Sequence, residues 1–376
     1  GHRVCTTDRG PASVLGSMDP LRSSAQAMLD ELHPAALFLL PFAVQQAMGM
    51  DLEGVAAELA RSSNTHILTL QSLALDGDWL DGWATVFSAL AERVPSVPER
   101  HPDSVCLAGL MHTRDEADDV ANVQGVTGLL DALGLTVESV WSGGGTVEQL
   151  MRAAGCRHLV GLPHAAPFAS GLATAVGARF CDATLPVGLS GTTEFLRAVG
   201  GATGRAREAE QLARAETRRC AALLNNFVST MADDISVALL ADRDMAPALH
   251  GALTEIGIDV PLTGILSARS LPESISTLSG RVAVDPSFPA WEELLFEAAQ
   301  GGVQMVVGSG LSEVAAHKAG VDLVELGFPS ANTHFLTPAP YLGYQGFLRI
   351  VERIANTYSQ GVARKRLDAA ARTGRN

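Results

Sequence analysis

Two distant stretches of this chain spell out the same pattern. The first is an apolar run, SVCLAGLM from Ser104, then a helical stretch closing on LLDALG, then a second apolar run, LTVESVW. From Asp234 the order returns as ISVALLAD, a helical stretch closing on ALTEIG, and IDVPLTGIL. Each copy reads strand, helix, glycine, strand, so the chain carries an internal repeat. Strands alternating with helices require a parallel sheet covered on both faces.

A related pattern occurs three times. Ala35 to Phe42, His158 to Pro163 and Val303 to Val307 are short apolar runs, each followed by a small-residue loop and an amphipathic helix starting near Asp51, Pro167 and Leu311. In the last two copies a glycine (Gly177, Gly320) and another strand follow, ending at Pro186 and Pro329. The spacing predicts an α/β protein of three Rossmann-like domains with parallel sheets around a central cleft. PSVPERHP, from Pro95 to Pro102, is the first boundary, because clustered proline and polar residues punctuate structure. The expected domains are residues 1–98, with 341–376 packing back on them, then 99–232 and 233–340. Residues 205–232 form a linking helix whose Glu and Arg residues at i,i+3 and i,i+4 make a solvated face.

Length and charge limit the function. A chain of 376 residues exceeds one ordinary core, and 47% hydrophobic residues can fill several. With 5% aromatics and 37 glycines, small residues favour close helix-on-sheet packing. A net charge of −14 argues against nucleic acid and anionic membrane surfaces. AALFLLPFAV, broken by Pro41, is too short to span a bilayer. Five cysteines (Cys5, Cys106, Cys156, Cys181, Cys220) form no C-x-x-C pair and follow no signal peptide, which points to a reducing cytoplasm. The opening Gly-His without methionine points to a true N-terminus further upstream.

Ligands of open parallel sheets bind beyond the carboxyl ends of the strands. LPVGLSGTT places Gly188, Ser190, Gly191, Thr192 and Thr193 before a helix expected from Glu194. Its N–H groups and hydroxyls suit an anionic or carbonyl ligand, and equally a capped glycine turn. Gly308-Ser309-Gly310 follows the third-domain strand, but Glu313 stands where a dinucleotide fingerprint needs its third glycine. His334 lies in the polar crossing between Pro329 and Pro340, either as a surface residue or as a ligand. Two acidic clusters have structural explanations. Asp76, Asp78 and Asp81 lack the glycine and terminal glutamate of a calcium loop. His112, Asp115, Glu116, Asp118 and Asp119 suit a helix N-terminus.

Near the C-terminus, GFP at Gly327, GYQG at Gly343 and IAN at Ile354 recur at a spacing that resembles component 1 of the nitrogenase-like reductases. That family includes nitrogenase molybdenum–iron protein subunits, cofactor-assembly scaffolds and dark-operative protochlorophyllide reductase subunits. Thr6-Thr7, MGMD at Met48 and DGW at Asp81 extend the resemblance through the first domain. It implies that the C-terminal segment returns to the first domain past a metallocluster or substrate pocket. It also implies cofactor-binding roles for Ser190, Gly191, Thr192, Gly308, Ser309, Gly310, His334 and Tyr344. An iron–sulfur cluster or other metallocluster, an iron–sulfur ATPase reductase partner, and a homologous subunit or homo-oligomer are implied as well. The chain has no G-x-x-x-x-G-K-[ST], so ATP hydrolysis would belong to the partner.

One departure bears on the cofactor. Cluster-bearing relatives place a cysteine after the first buried strand, where this chain has Ala43, and carry further cysteines upstream. Thiolates are the usual ligands of such clusters, and Cys5, Cys106 and Cys181 fall in or beside apolar strands as core residues. The resemblance thus implies an oxidoreductase subunit acting on a bulky unsaturated or metallic substrate. Ala43 favours a non-catalytic scaffold or carrier for a cluster or tetrapyrrole. A sugar-nucleotide or small-ligand binding protein is a third reading, since fold does not fix function.

Overall fold

The computed structural model describes residues 4–6, 17–42, 49–70, 77–97, 99–114, 116–141, 145–267 and 271–372. Its strands lie in three sheets, parallel throughout. In the first unit, helix α1 (Asp19–Leu32), strand β1 (Ala36–Leu39), helix α2 (Leu52–Ala60), strand β2 (His66–Thr69) and helix α3 (Trp79–Ala91) follow one another. Asp51 caps α2 by accepting from the Gly54 N–H. Asp78 and Asp81 close a capping box on α3, which gives those carboxylates a structural task. Asp76, like Ala43 and Asp115, lies outside the described residues.

The repeat appears as two sheets of matching order. In the second unit, β3 (His101–Ala108), α4 (Ala117–Ala132), β4 (Thr136–Trp141), α5 (Val147–Met151), β5 (Cys156–Gly161), α6 (Ala166–Val176) and β6 (Arg179–Asp182) give the order β4-β3-β5-β6. Helices α7 (Gly188–Thr203) and α8 (Ala206–Thr230) then lead to the third unit. There β7 (Ser236–Asp242), α9 (Met245–Thr254), β8 (Asp259–Leu266), β9 (Arg281–Val284), α10 (Phe288–Gln300), β10 (Met305–Gly308), α11 (Glu313–Ala319) and β11 (Asp322–Glu325) give β11-β10-β7-β8-β9. The glycine after each repeat helix, Gly134 and Gly257, has φ of 71° and 92°. That left-handed turn is open to glycine without strain and returns the chain to the sheet.

The period-two alternation of each strand sorts its residues between two cores. Val105 and Leu107 of β3, with Val237 and Leu239 of β7 and Met305 and Val307 of β10, enter one cluster shared by the second and third units. Cys106 and Ala108 face a second cluster that reaches Leu68, Leu90 and Val94 of the first unit. Ala238, Leu240 and Val306 face a third. The rings of Trp83, Phe87, Trp141 and Phe168 bind α3 to the second unit, with centroids 4.7–6.0 Å apart.

The C-terminal helix departs from expectation. Helix α12 (Gly343–Arg372) presents the predicted apolar face, and Phe347, Ile350, Val351 and Ile354 are buried. These residues join the core shared by the second and third units, and α12 packs chiefly on α7, α4, α8 and β11. The first unit instead meets the crossing segment, where the Phe328 and Trp79 rings pack at a tilt with centroids 4.5 Å apart. The reason is capacity: the small core of the first unit is already closed by α1, α2, β1 and β2.

Candidate functional site

In both large sheets the strand order reverses beside the first strand of the repeat, between β3 and β5 and between β7 and β10. Such reversals open crevices at the strand carboxyl ends, where ligands of α/β proteins bind. The two crevices meet. His164, in the turn after β5, places Nε2 2.9 Å from Oδ1 of Asp242, the last residue of β7. Both side chains are buried, so this pair crosses the seam between the units. Asp242 Oδ1 also accepts from the N–H groups of Asp244 and Met245, each at 2.9 Å. Burial alone would raise Asp242, but the His164 charge and hydrogen bond and the two N–H donors hold it below the usual carboxylate range. Burial would likewise lower His164, yet Asp242, with Asp244 behind it, raises it above the ordinary imidazole value.

The second unit contributes residues 109–114 and the start of α4. Asp119 is buried and accepts from the Thr113 and Arg114 N–H groups and the Thr113 hydroxyl, while His112 Nδ1 stands 3.6 Å away. Asp118, beside it, is pushed up by burial and the Asp119 charge, against the pull of Arg114. The Arg114 guanidinium lies 3.3 Å from Glu116 and 3.8 Å from Asp118. Buried side-chain atoms here lack hydrogen bonds: all three guanidinium nitrogens of Arg114, Asp118 Oδ1 and Asn122 Nδ2. The Arg114 nitrogens keep only the longer ion-pair contacts, and buried nitrogen and oxygen atoms short of hydrogen bonds are costly, so their concentration here favours a ligand. Asp118 and Asp119 thus sit in the first turn of a helix, as the sequence indicated, and both are buried at the seam.

The crossing from β11 to α12 closes over this region. Glu325, with no exposed surface, accepts from the N–H groups of Ala331 (2.6 Å), Asn332 (3.1 Å) and Thr333. Ser309 donates its hydroxyl to the Pro329 carbonyl at 2.9 Å, and Gly310 donates its N–H to the same oxygen. A side chain at Gly310 would meet the Glu325 carboxylate at 2.2 Å, so glycine is required for this closure. His334 pairs with Glu116 at 2.7 Å, and the Phe335 N–H donates to the other Glu116 oxygen at 2.6 Å. The Phe335 ring lies between the guanidinium groups of Arg114 and Arg353, 5.3 and 5.0 Å from its centroid. Burial, with Arg349 nearby, lowers Arg353 to about 10. Tyr341 is buried beside Asp119, Asp118 and Asp242, and its hydroxyl is raised far above the ordinary phenol.

The eight residues singled out in the sequence fall into separate sets of contacts. Ser309 and Gly310 join the crossing, and His334 joins Glu116. Ser190, at the start of α7, is engaged by Glu255 of the third unit, which accepts from the N–H groups of Leu189 and Ser190 and from the Ser190 hydroxyl. The anion suited to that helix start is therefore a carboxylate of the chain itself. Gly191 sits under the Leu185 carbonyl, and Thr192 is buried with its hydroxyl bonded to the Gly188 carbonyl at 2.6 Å. Tyr344 shares a 2.8 Å hydrogen bond with Thr193, beside a groove of about 420 Å³ lined by Ser190, Arg197, Arg214 and Arg218. Gly308, with φ of 131°, lies so close to β7 that a Cβ would stand 2.1 Å from the Leu240 carbonyl oxygen.

His164, Asp242, Asp244 and Glu325 were not singled out in the sequence. Asp242 and Glu325 do carry a signal: each is a carboxylate at the carboxyl end of an otherwise apolar run. The thiols fit an iron–sulfur cluster poorly. Cys106, Cys156, Cys181 and Cys220 are buried, and burial pushes Cys106 well up, Cys156 to about 12, Cys181 to about 11 and Cys220 up. Cys5, expected in a core, is exposed. Among the described residues, no group of cysteines is placed as thiolate ligands.

Comparison with known proteins bears on the same architecture. A family model described as nitrogenase component 1 type oxidoreductase matches residues 9–359. The chain belongs to that family. It is 27% identical over 193 residues to the nitrogenase molybdenum-iron protein beta chain of Clostridium pasteurianum, covering 48% of this chain and 40% of that one. The beta chain of Frankia alni is 27% identical over 188 residues, covering 46% and 33%. The matched stretches thus span less than half of those relatives. Among solved structures, "Nitrogenase Cp1 at pH 6.5" superposes with a TM-score of 0.77 at 16% identity, covering 94% of this chain and 81% of that one. "Nitrogenase Cp1 at pH 5" superposes with 0.71 at 14%, covering 93% and 76%. At such identity the likeness concerns the fold. No helix among the described residues is long and apolar enough to cross a membrane.

Proposed function

We propose that this chain is a component-1-type oxidoreductase subunit that binds a bulky unsaturated or metallic substrate at the seam between its second and third units. In this reading a separate iron–sulfur ATPase delivers the electrons, the protein acts in the cytoplasm, and units bounded near residues 98, 232 and 340 supply the walls. The observation that carries it is the group of buried, unbonded polar atoms of Arg114, Asp118 and Asn122 beside facing switch points. Arg114 would hold an anionic substituent of the ligand, steadied in place by its contact with the Phe335 ring. The crossing segment, tied down by Glu325 and Glu116, would keep water out.

A second reading, an assembly scaffold or carrier for a cluster or tetrapyrrole, is favoured by the thiols. Four of the five thiols are buried and raised well out of the thiolate range, and one exposed thiol, Cys5, cannot hold a cluster alone, so a homologous subunit would contribute thiolates. Both readings are tested on the full chain, purified without oxygen and titrated with tetrapyrroles and synthetic metalloclusters while absorption is followed. Specific binding that weakens at least tenfold in Arg114→Met is expected. Equal affinity in a folded Arg114→Met variant would remove the seam from consideration. Substrate reduction on adding the reductase and ATP selects the enzyme; release of unchanged ligand to an acceptor selects the carrier.

A further inference from the structure

The seam holds a second arrangement that the ligand reading leaves unused. His164, Asp242 and Asp244 each offer one ligand atom, and these atoms lie within 4.8 Å of one another. His164 Nε2 is 2.9 Å from Asp242 Oδ1 and 4.0 Å from Asp244 Oδ2. We propose that these three residues hold one divalent first-row transition-metal ion, Mn(II), Fe(II) or Zn(II), joining the second unit to the third.

A buried histidine–aspartate ion pair accounts for only two of the three groups. Asp244 is what it leaves over. The Asp244 side chain is 9% exposed, and its Oδ2 makes no hydrogen bond although it points at the same imidazole nitrogen. The neighbouring Arg243 guanidinium forms a longer ion pair with the same oxygen, at 3.6 Å. Without a metal, the two buried carboxylates face one imidazolium and the Arg243 guanidinium, and Asp244 Oδ2 gains a close hydrogen bond from neither. A divalent ion bonded to a neutral imidazole and both carboxylates would give Asp244 Oδ2 the direct partner it lacks.

Size and chemistry agree. Bonds of roughly 2.0–2.2 Å to nitrogen and oxygen place two ligand atoms of one ion about 3–4 Å apart, depending on the angle. The observed separations of 2.9 and 4.0 Å fit that range. One imidazole with two carboxylates suits manganese, iron or zinc, and the absence of thiolate argues against copper(I). Surrounding groups orient the ligands. Asp242 is fixed by the N–H groups of Asp244 and Met245, and the Gly109 backbone lies on the other side of the His164 ring. Three protein ligands would leave one tetrahedral position for a further donor.

This inference is independent of the proposed substrate and is tested without it. The full chain is stripped with a chelator and titrated with Mn(II), Zn(II) and, without oxygen, Fe(II). Bound metal is counted by elemental analysis, and thermal stability is followed in parallel. One equivalent per chain that raises Tm is expected. Asp244→Asn keeps the His164–Asp242 pair, so the metal-free variant should fold while its affinity drops at least tenfold. Co(II) loaded into the wild-type chain should give visible bands that change in His164→Gln. Failure of the stripped protein to take up an equivalent of any of the three ions would overturn the proposal. So would Asp244→Asn binding with unchanged affinity, which would place the ion elsewhere.

Discussion

Glu325 ends β11 with its carboxylate facing inward, and the turn after it is built around that group. Burial would raise its pKa, but the N–H groups of Asn332, Ala331 and Thr333 outweigh burial and lower it. Because the folded value is depressed, its stabilisation is complete above the unfolded carboxylate value of about 4.3 and is lost as pH falls through the folded value. Glu325→Gln should cost roughly 2 kcal/mol at neutral pH, since the amide accepts at one oxygen only and turns its NH₂ toward donors. Urea titrations at pH 7 and pH 3 check this, with the difference between variant and wild type shrinking at the lower pH. The neighbouring glycine is of another kind. Gly308 is held at positive φ against the Leu240 carbonyl, so a large residue there breaks the sheet and cannot report on ligand binding. Tyr344→Phe leaves the backbone untouched, removes the hydroxyl's bonds to Thr193 and Thr217, and should cost about 1–2 kcal/mol in thermal denaturation.

At the scale of elements, the strands and crossover helices were legible because their residues keep strict periods and because the repeat states the pattern twice. The GYQG motif also has a local cause. Gly343 takes φ of 73° at the start of α12, and Gly346 lets the helix pass within 2.4 Å, measured from an added Cβ, of the Tyr341 backbone. What could not be read was the partner of each element. Periodicity gives α12 an apolar face but does not say which core receives it. Likewise His164 and Asp242, distant in sequence, show nothing of each other until two parallel sheets bring their strand ends together. The Ser190 turn carried the marks of an anion site, and its anion turned out to be Glu255, a residue no local pattern links to it. The packing of α12 makes a contrast within one helix. Phe347 has no exposed surface and sits in the core shared by the second and third units, whereas Leu367 is 70% exposed. Phe347→Ala should cost about 3–5 kcal/mol, and Leu367→Ala less than about 0.5 kcal/mol, by chemical denaturation.

For the whole molecule, that shared core sets the pattern of cooperativity. Residues from β3, α4, α7, α8, β7, α9, β10 and α12 belong to one buried cluster, so neither large sheet can open without exposing surface of the other. The first unit differs. Its two-stranded sheet and two helices enclose a small core of their own, Ala25, Leu29, Leu37, Leu39, Val55, Ala56, Leu59 and Ile67. Two strands with so little apolar area are marginal without a neighbour, and they depend on α3 and the aromatic contacts for attachment. Native-state hydrogen exchange under increasing denaturant should therefore show two steps. Amides of β1 and β2 lose protection first, in an opening of lower free energy, while those of β3 and β7 lose it together at the global transition. Separate openings of β3 and β7 would mean that the shared core does not join the two units, and the seam where their strand ends meet would then be too loose to hold a ligand in fixed geometry.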